Sequence, residues 1–159
     1  MPAIRIDRDP PVDLLRALMR EYAASLSFDL EFQSFEQELA GLPGPYAPPG
    51  GGSLAAWVDL EPAGCASVRS LGPGLGELKR LFVRPAHRGL GLGRALTEAA
   101  IELASELGHE RIRLDTTPEM SAAQALYRRL GFREIEPYAH NPVPGTRYLE
   151  LELASRETR

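Results

Sequence analysis

The chain has 159 residues, of which 43% are hydrophobic and 25% charged, and its formal net charge is −4. These values predict one globular domain spanning residues 1–159 and argue against non-specific nucleic-acid binding. No apolar run is long enough to span a membrane, and no secretory signal is visible. The single cysteine, Cys65, excludes an internal disulfide and favours a cytoplasmic location, and the three histidines lack metal-ligand spacing.

Hydrophobic periodicity in the first half of the chain predicts a strand, two helices and a hairpin. Apolar residues at helical spacing mark both helices, and Ser34 stands where it could cap the second. The proline- and glycine-rich segment 41–53 predicts a surface loop, and "EPAG" (61–64) separates two strand-like stretches. The predicted elements are a strand at 3–7, helices at 12–26 and 35–39, and strands at 54–60 and 65–71.

The second half of the chain alternates strands with helices. Strict alternation along the strand 76–83 would place Leu78, Arg80 and Phe82 on one face. Thr117 could cap the last helix, with Pro118 at its first position. The predicted elements are strands at 76–83, 111–116, 132–135 and 147–153, and helices at 92–107 and 118–130. Interleaved strands and helices predict an α/β fold with a mixed sheet.

The stretch "RGLGLGR" (88–94) lies between a predicted strand and a predicted helix. Glycine costs roughly 0.5–1 kcal/mol in a regular element, so three glycines need a reason. No residue here carries a capping oxygen, which leaves the first helical amides for water or an anion such as a pyrophosphate. Residues 78–97 also lack Asp and Glu and gather five cations, which predicts a positive patch for a small polyanion: Lys79, Arg80, Arg84, Arg88 and Arg94.

Two known phosphate-binding glycine loops do not fit this stretch. A P-loop needs Lys and then Ser or Thr after its last glycine, whereas Arg94 and Ala95 follow here. The dinucleotide-binding pattern G-x-G-x-x-G has a different final spacing from Gly89, Gly91 and Gly93. The remaining alternative to an anion site is a plain strand–helix turn.

Arg88-x-x-Gly91-x-Gly93, followed by an amphipathic helix, resembles the acyl-CoA signature of the GNAT N-acetyltransferase superfamily. A second segment, "AAQALYRRLGFREI" (122–135), resembles the family's Ala-x-x-Leu-Tyr-x-x-x-Gly-Phe motif at the expected distance. The resemblance covers roughly residues 57–135. It implies the GNAT fold, an α/β (α+β) arrangement in which about four helices flank a mixed, twisted sheet of six or seven strands. The sheet would be splayed beside the strand 76–83.

The resemblance also implies acetyl-CoA as co-substrate and no metal. The pantetheine arm would pair with the backbone of Leu81 and Val83, and the pyrophosphate would lie on amides of the glycine stretch. The implied cofactor-binding residues are Leu81, Phe82, Val83, Arg88, Gly89, Leu90, Gly91, Leu92, Gly93, Arg94 and Tyr127.

In this family an amine attacks the thioester directly, so three roles must be filled. The Val83 N–H would polarise the carbonyl, and Tyr127 matches the tyrosine that protonates the departing thiolate. Tyr127 also lies on an apolar helical stripe and could simply pack in the core. Glu77 is the implied base, although it could be an exposed strand carboxylate, and His140 is the alternative base.

One position departs from the family pattern. Met120 stands where many members carry an asparagine that holds the cofactor arm. Ser121 next to it could substitute for that asparagine, although it lies about 100° away around the helix. This departure removes the expected side-chain contact to the arm at that point.

The sequence thus predicts transfer of an acetyl group to an amine of a small molecule or peptide. An acyl-CoA-binding module without catalysis is the alternative, and a homodimer joined through C-terminal strands is common in the family. Cys65 is expected to be a core residue. Candidate acceptor contacts, each of which could also be a packing residue, are Phe28, Phe32, Glu36, Tyr46, Arg69, Thr116, Tyr138 and Asn141.

Overall fold

A seven-stranded mixed sheet organises the protein in a computed structural model that describes residues 2–153. The strands follow the order β1-β2-β3-β4-β5-β7-β6, and β4–β5 is the one parallel pair among them. The strands are β1 (Ile4–Asp7), β2 (Gly52–Val58), β3 (Glu61–Gly72), β4 (Leu75–Val83), β5 (Arg111–Thr116), β6 (Arg133–Ile135) and β7 (Arg147–Glu152). The helices are α1 (Val12–Ser25), α2 (Phe35–Ala40), α3 (Leu92–Glu106) and α4 (Ser121–Arg129). The predicted fold class is confirmed.

Two apolar clusters cover the two faces of the sheet. Helices α3 and α4 pack on one face, where Leu96, Ala100 and Ala104 of the predicted stripe are fully buried. Helices α1 and α2 pack on the other face, where Leu18 and Leu39 are fully buried. Cys65 lies in this second cluster, as expected of a core residue. We call the two sides the α3–α4 face and the α1–α2 face.

The sheet opens between β4 and β5. These strands pair at only three positions, Leu75–Glu77 with Arg111–Arg113, although both strands continue beyond them. From Leu78 onward, the edge of β4 that faces β5 is therefore not bonded to that strand. The splay implied by the resemblance is present.

Strict side-chain alternation along β4 is wrong, because a bulge interrupts the strand at Arg80. Arg80 has a left-handed backbone with φ +60°, and its pairing with β3 shifts between Cys65 and Ser67. Leu78 packs with the cluster under α3, whereas Phe82 packs with the cluster under α1. The extra residue thus places Lys79 and Arg80, although consecutive, both toward the α1–α2 face, where each bonds a side chain from that side.

Two predicted boundaries in the first half of the chain are corrected. The hairpin turn is Asp59–Leu60, not 61–64, because Asp59 adopts a left-handed conformation with φ +53° and lets β3 begin at Glu61. The segment 41–53 is not only a surface loop. It contains a 3-10 turn, Gly44–Tyr46, that buries Tyr46 in the core.

Both predicted helix caps are wrong, although the helices exist. Ser34 has a left-handed backbone and makes no capping hydrogen bond to α2. Pro118 starts a 3-10 turn, so α4 begins only at Ser121. The buried Thr117 hydroxyl group forms no hydrogen bond within residues 2–153, and the Thr117 carbonyl instead accepts one from Gln124 Nε2 at 2.8 Å.

Candidate active site

A cleft of about 430 Å³ occupies the opening between β4 and β5. Its walls include Tyr22 and Phe28 from the α1–α2 side and Ala123 and Tyr127 from α4 on the opposite side. The cleft therefore passes through the sheet from one face to the other. A smaller cavity of about 190 Å³ lies beside it on the α1–α2 side, and Lys79, Arg80, Asp115 and Gln33 line both spaces.

The glycine stretch forms the N-terminus of α3 next to the cleft. Gly91 occupies the N-cap position with φ +80°, and Gly89 has φ +87°, so both need glycine for their backbone conformation. No side chain caps the helix, and its first internal bond runs from the Ala95 N–H to the Gly91 carbonyl at 3.1 Å. The amides before Ala95 are therefore directed out of the helix end, as in anion-binding sites.

Gly93 differs from the other two glycines. It lies inside α3 without a positive φ, and a Cβ atom added there would meet only Leu126 Cδ2 at 4.0 Å. Neither the backbone nor the packing of the described residues requires glycine at this position. The missing Cβ leaves open space at the helix end that a ligand could use.

The predicted positive patch is wrong in its extent. Arg88 and Arg94 lie at the glycine stretch and are exposed. Lys79 and Arg80 point to the α1–α2 face, and Arg84 is held by Glu21 at 2.6 Å. The bulge in β4 explains why Lys79 and Arg80 lie apart from the glycine stretch. Counting residues along the sequence does not show on which face of the sheet a cation lies.

The backbone of β4 offers a free edge to the cleft. The Arg84 N–H donates to the Ala63 carbonyl on β3 at 2.7 Å, and Val83 is paired with Gly64. Because bonded and non-bonded pairs alternate between antiparallel strands, the Val83 N–H points away from β3 toward the cleft. The Val83 carbonyl accepts a hydrogen bond from Arg88 Nε at 3.2 Å.

The remaining predicted cofactor residues divide by where their side chains lie. Leu81 and Val83 are partly buried against the α3–α4 cluster and line the cleft. The Leu92 side chain is buried, so only its backbone can meet a ligand, whereas Leu90 is exposed. Phe82 is buried against the α1–α2 cluster and lines the cleft from that side.

Tyr127 combines the two roles that its sequence position left open. Its ring packs on Phe132 with centroids 5.5 Å apart, and it belongs to the buried cluster. It also lines the cleft, and within residues 2–153 its hydroxyl group forms no hydrogen bond. Burial, together with the charge of Asp115, raises the pKa of Tyr127 above its usual value, so the hydroxyl group keeps its proton.

Glu77 lies in the smaller cavity, outside the lining of the main cleft. It is buried, and both of its oxygens are engaged: Arg69 Nε lies 2.7 Å from Oε1, and the Tyr138 hydroxyl donates to Oε2 at 2.7 Å. Glu77 is thus neither exposed nor open to the cleft. His140 is exposed and also lines the smaller cavity.

Arg80 and Glu38 form a buried ion pair beside these residues. Arg80 Nε and Nη2 donate to the two Glu38 oxygens at 2.8 and 2.7 Å. Burial alone would raise the pKa of Glu38, but the hydrogen bonds and charge of Arg80 hold that pKa below its usual range. This bidentate pair fixes α2 to the bulge of β4.

The candidate acceptor contacts are scattered. Phe28 and Asn141 line the cleft, and the Phe32 side chain lies outside the described part of the structure. Thr116 is buried and Glu36 is exposed beside Arg20. The others surround the buried charges: Arg69 and Tyr138 bond Glu77, and Tyr46 lies beside Glu38.

Sequence reasoning missed Asp115, which lines both the cleft and the smaller cavity. A signal was present, because Asp115 lies at the carboxyl end of a parallel strand, where α/β sheets usually bind ligands. Met120 also lines the cleft, whereas Ser121 is exposed and outside that lining. Ser121 therefore does not replace the family's asparagine.

No three His, Cys, Asp or Glu side chains within residues 2–153 are grouped so that they could hold a metal ion. Among the helices of this part of the chain, none combines the length and apolar character needed to cross a membrane.

The fold and the cleft define a class of α/β protein. Its sheet opens beside a parallel strand pair to admit an elongated ligand, and a helix N-terminus at one end suits a phosphate group. Comparisons with known proteins agree. The acetyltransferase (GNAT) family matches residues 13–132. An uncharacterized N-acetyltransferase of Schizosaccharomyces pombe is 39% identical over 154 residues, 96% of this chain and 93% of the relative.

Solved structures share this fold. A GNAT-family acetyltransferase from Staphylococcus aureus Mu50 superposes with a TM-score of 0.77 at 23% identity, over 95% of this chain and 99% of that one. The acetyltransferase yncA of Salmonella typhimurium, solved with its cofactor acetyl-CoA, gives a TM-score of 0.67 at 20% identity, over 95% and 94%. The chain belongs to the GNAT acetyltransferase family, and its class of enzyme is that of the N-acetyltransferases.

Proposed function

We propose that this protein transfers the acetyl group of acetyl-CoA directly to an amine of a small molecule or peptide. The observation that carries the proposal is the cleft through the sheet, because two ligands can enter it from opposite faces and meet inside. Direct transfer also agrees with the state of Cys65. Burial raises the pKa of this thiol to about 12, so it does not supply a thiolate nucleophile.

The residues at the α3–α4 end fit the cofactor. The amides of Leu92, Gly93 and Arg94 are directed out of the helix end, where they would bind a pyrophosphate, and Arg88 would add a charge-assisted bond. The missing Cβ of Gly93 leaves room for close approach. The free edge of β4 would receive the amide groups of the pantetheine arm. Acetyl-CoA supplies the activated thioester.

The chain's own groups can perform the three chemical roles. The Val83 N–H would stabilise negative charge on the thioester oxygen, and the Tyr127 hydroxyl would protonate the departing thiolate. For the proton of the amine we favour Asp115 as the direct acceptor, because it lines the cleft. Glu77 is retained as a base that receives the proton through water, since its own oxygens already accept two hydrogen bonds.

Calorimetric titration with acetyl-CoA, CoA and ATP tests the cofactor assignment. We expect micromolar binding of both CoA species and none of ATP. Absence of CoA binding by the folded protein would contradict the proposal. Binding without acetylation of any amine in a broad panel would instead support the alternative, an acyl-CoA-binding module without catalysis.

Replacing Gly93 by alanine separates the cofactor site from the stability of the fold. The position has no positive φ and only a distant neighbour, so alanine should leave the free energy of unfolding unchanged or raise it by up to about 1 kcal/mol. The added methyl group would meet the pyrophosphate, and we expect the Kd for CoA to rise roughly tenfold, about 1.4 kcal/mol. Urea denaturation and calorimetry measure the two quantities. An unchanged CoA affinity would contradict a close approach of the pyrophosphate to Gly93.

A further inference from the structure

Lys79 is a buried cation that forms no ion pair within residues 2–153. It is the single lysine in the chain, whose 18 basic residues are otherwise arginines. Among residues 2–153, the other buried Asp, Glu and Arg side chains, Glu77, Arg80 and Glu150, are all in ion pairs. No carboxylate of the described chain lies within 4 Å of Lys79 Nζ, which donates instead to Gln33 Oε1 at 3.0 Å.

Asp115 is the matching anion. It accepts a hydrogen bond from Asn141 Nδ2 at 3.1 Å and is in none of the ion pairs formed within residues 2–153. Lys79 and Asp115 both line the cleft and the smaller cavity, yet they do not contact each other. A neutral amide holds each charge in position without neutralising it.

This arrangement has an energetic consequence. A buried ammonium group without a direct ion pair is unfavourable, and burial lowers the pKa of Lys79, although the charge of Glu77 acts in the opposite direction. The charge of neighbouring Arg80 is already balanced by Glu38, which accepts hydrogen bonds from Arg80 Nε and Nη2. A ligand carboxylate at Lys79 would therefore relieve an existing cost.

We propose that the amine acceptor is a free amino acid or a close analogue, whose carboxylate binds Lys79 and whose ammonium group binds Asp115. This inference rests on the proposed function, since it names the substrate class of the same cleft. A peptide or protein N-terminus is excluded as a good acceptor, because its α-carboxyl group is consumed in an amide bond. The smaller cavity, with its charged lining, would take a short polar side chain.

The proposed binding mode also orients the reaction. Asp115 takes one proton from the bound ammonium group, and the freed amine nitrogen forms a bond to the thioester carbon. The carbon–sulfur bond breaks, and the Tyr127 hydroxyl passes its proton to the departing sulfur. As the amide forms, its nitrogen loses a second proton, which restores the Tyr127 hydroxyl group through solvent, and Asp115 releases the first proton to solvent. The N-acetylated product has lost its positive charge, so it binds Asp115 less well and can leave.

Paired acceptors test the inference on the unaltered protein. The twenty common amino acids and their carboxamides are each supplied with acetyl-CoA, and release of the CoA thiol is measured. We expect at least one amino acid to exceed its carboxamide roughly 10- to 100-fold in kcat/KM, the range for a lost hydrogen bond to a charged group. Equal rates for acids and carboxamides, or no turnover with any amino acid, would overturn the inference.

Two variants test whether Lys79 causes the preference for amino acids over their carboxamides. Lys79→Met should abolish the preference for the acid over the carboxamide while leaving the Kd for acetyl-CoA unchanged. Arg20→Met, which removes a cation outside the cleft, should retain the preference. Turnover of other amines but not of amino acids would leave the acetyltransferase proposal standing and overturn this one. Failure to bind acetyl-CoA would instead contradict the proposed function itself.

Discussion

Replacing Tyr127 by phenylalanine is expected to lower kcat about 100-fold, the lower end of what a positioned proton donor contributes. The KM for acetyl-CoA should stay within about twofold, because the aromatic ring that packs on Phe132 is retained. The reason for the loss is specific. The Tyr127 hydroxyl group has no hydrogen-bond partner within residues 2–153 and lies in the cleft, with its pKa raised by burial. In the proposed mechanism this protonated hydroxyl group would donate to the departing sulfur.

Tyr148→Phe is the matched control for this experiment. That hydroxyl group donates to the Ala139 carbonyl at 2.8 Å and lies outside the cleft lining. Steady-state kinetics of both variants with acetyl-CoA and the best acceptor measure the difference. A Tyr127→Phe enzyme that turns over like the unaltered protein would show that Tyr127 only packs in the core.

Replacing Glu38 by alanine is expected to lower the free energy of unfolding by about 3–5 kcal/mol. The change leaves the Arg80 guanidinium group buried, with its side chain only 3% exposed and without a counter-ion. Glu21→Ala is the control, because it breaks an equally short bidentate pair with Arg84 whose side chains are 42% and 30% exposed. That half-exposed pair should cost about 1 kcal/mol or less. Similar losses in the two variants, measured by urea denaturation, would contradict the difference in burial.

The Arg80–Glu38 ion pair also makes the stability of the protein fall at acid pH, and we call this fall the acid limb. The pKa of Glu38 is lower in the folded than in the unfolded chain, so the carboxylate stabilises the fold fully above its unfolded value of about 4.3. That contribution is lost as the pH falls through the folded pKa. Glu38→Gln removes the titrating group. When the pH is lowered below about 4.3, we expect the urea midpoint of this variant to decrease less than that of the unaltered protein. A parallel fall in both proteins would assign the acid limb to other carboxylates.

The parts of the fold that depend on neighbours in the sequence could be predicted. Helix α3 follows from its hydrophobic periodicity. The start of the helix is marked by Gly91, whose N-cap position has a left-handed backbone that favours glycine. The parts that depend on distant pairing could not be predicted. The bulge at Arg80 arises from its register with β3, and it reversed the face expected for Arg80 and Phe82.

The candidate site divides in the same way. The cofactor end is formed largely by backbone of one continuous segment, so a motif within residues 81–94 describes it. The acceptor end is assembled from side chains far apart in the chain, such as Gln33 with Lys79 and Asp115 with Asn141. No local sequence pattern predicts such pairs. The predictions of one domain, a cytoplasmic location and a homodimer stay predictions.

The opening of the sheet also has an evolutionary consequence. In the proposed arrangement, one ligand would be met mainly by main-chain groups from the α3–α4 face, and the other by side chains from α1, the loop after it and residues near 140. Main-chain contacts survive most substitutions, whereas side-chain contacts change with each one. Under the proposed function, relatives of this chain would be able to diverge in the amine they modify while inheriting the donor site intact. In such a fold, acceptor specificity can change through substitutions on the α1–α2 face alone.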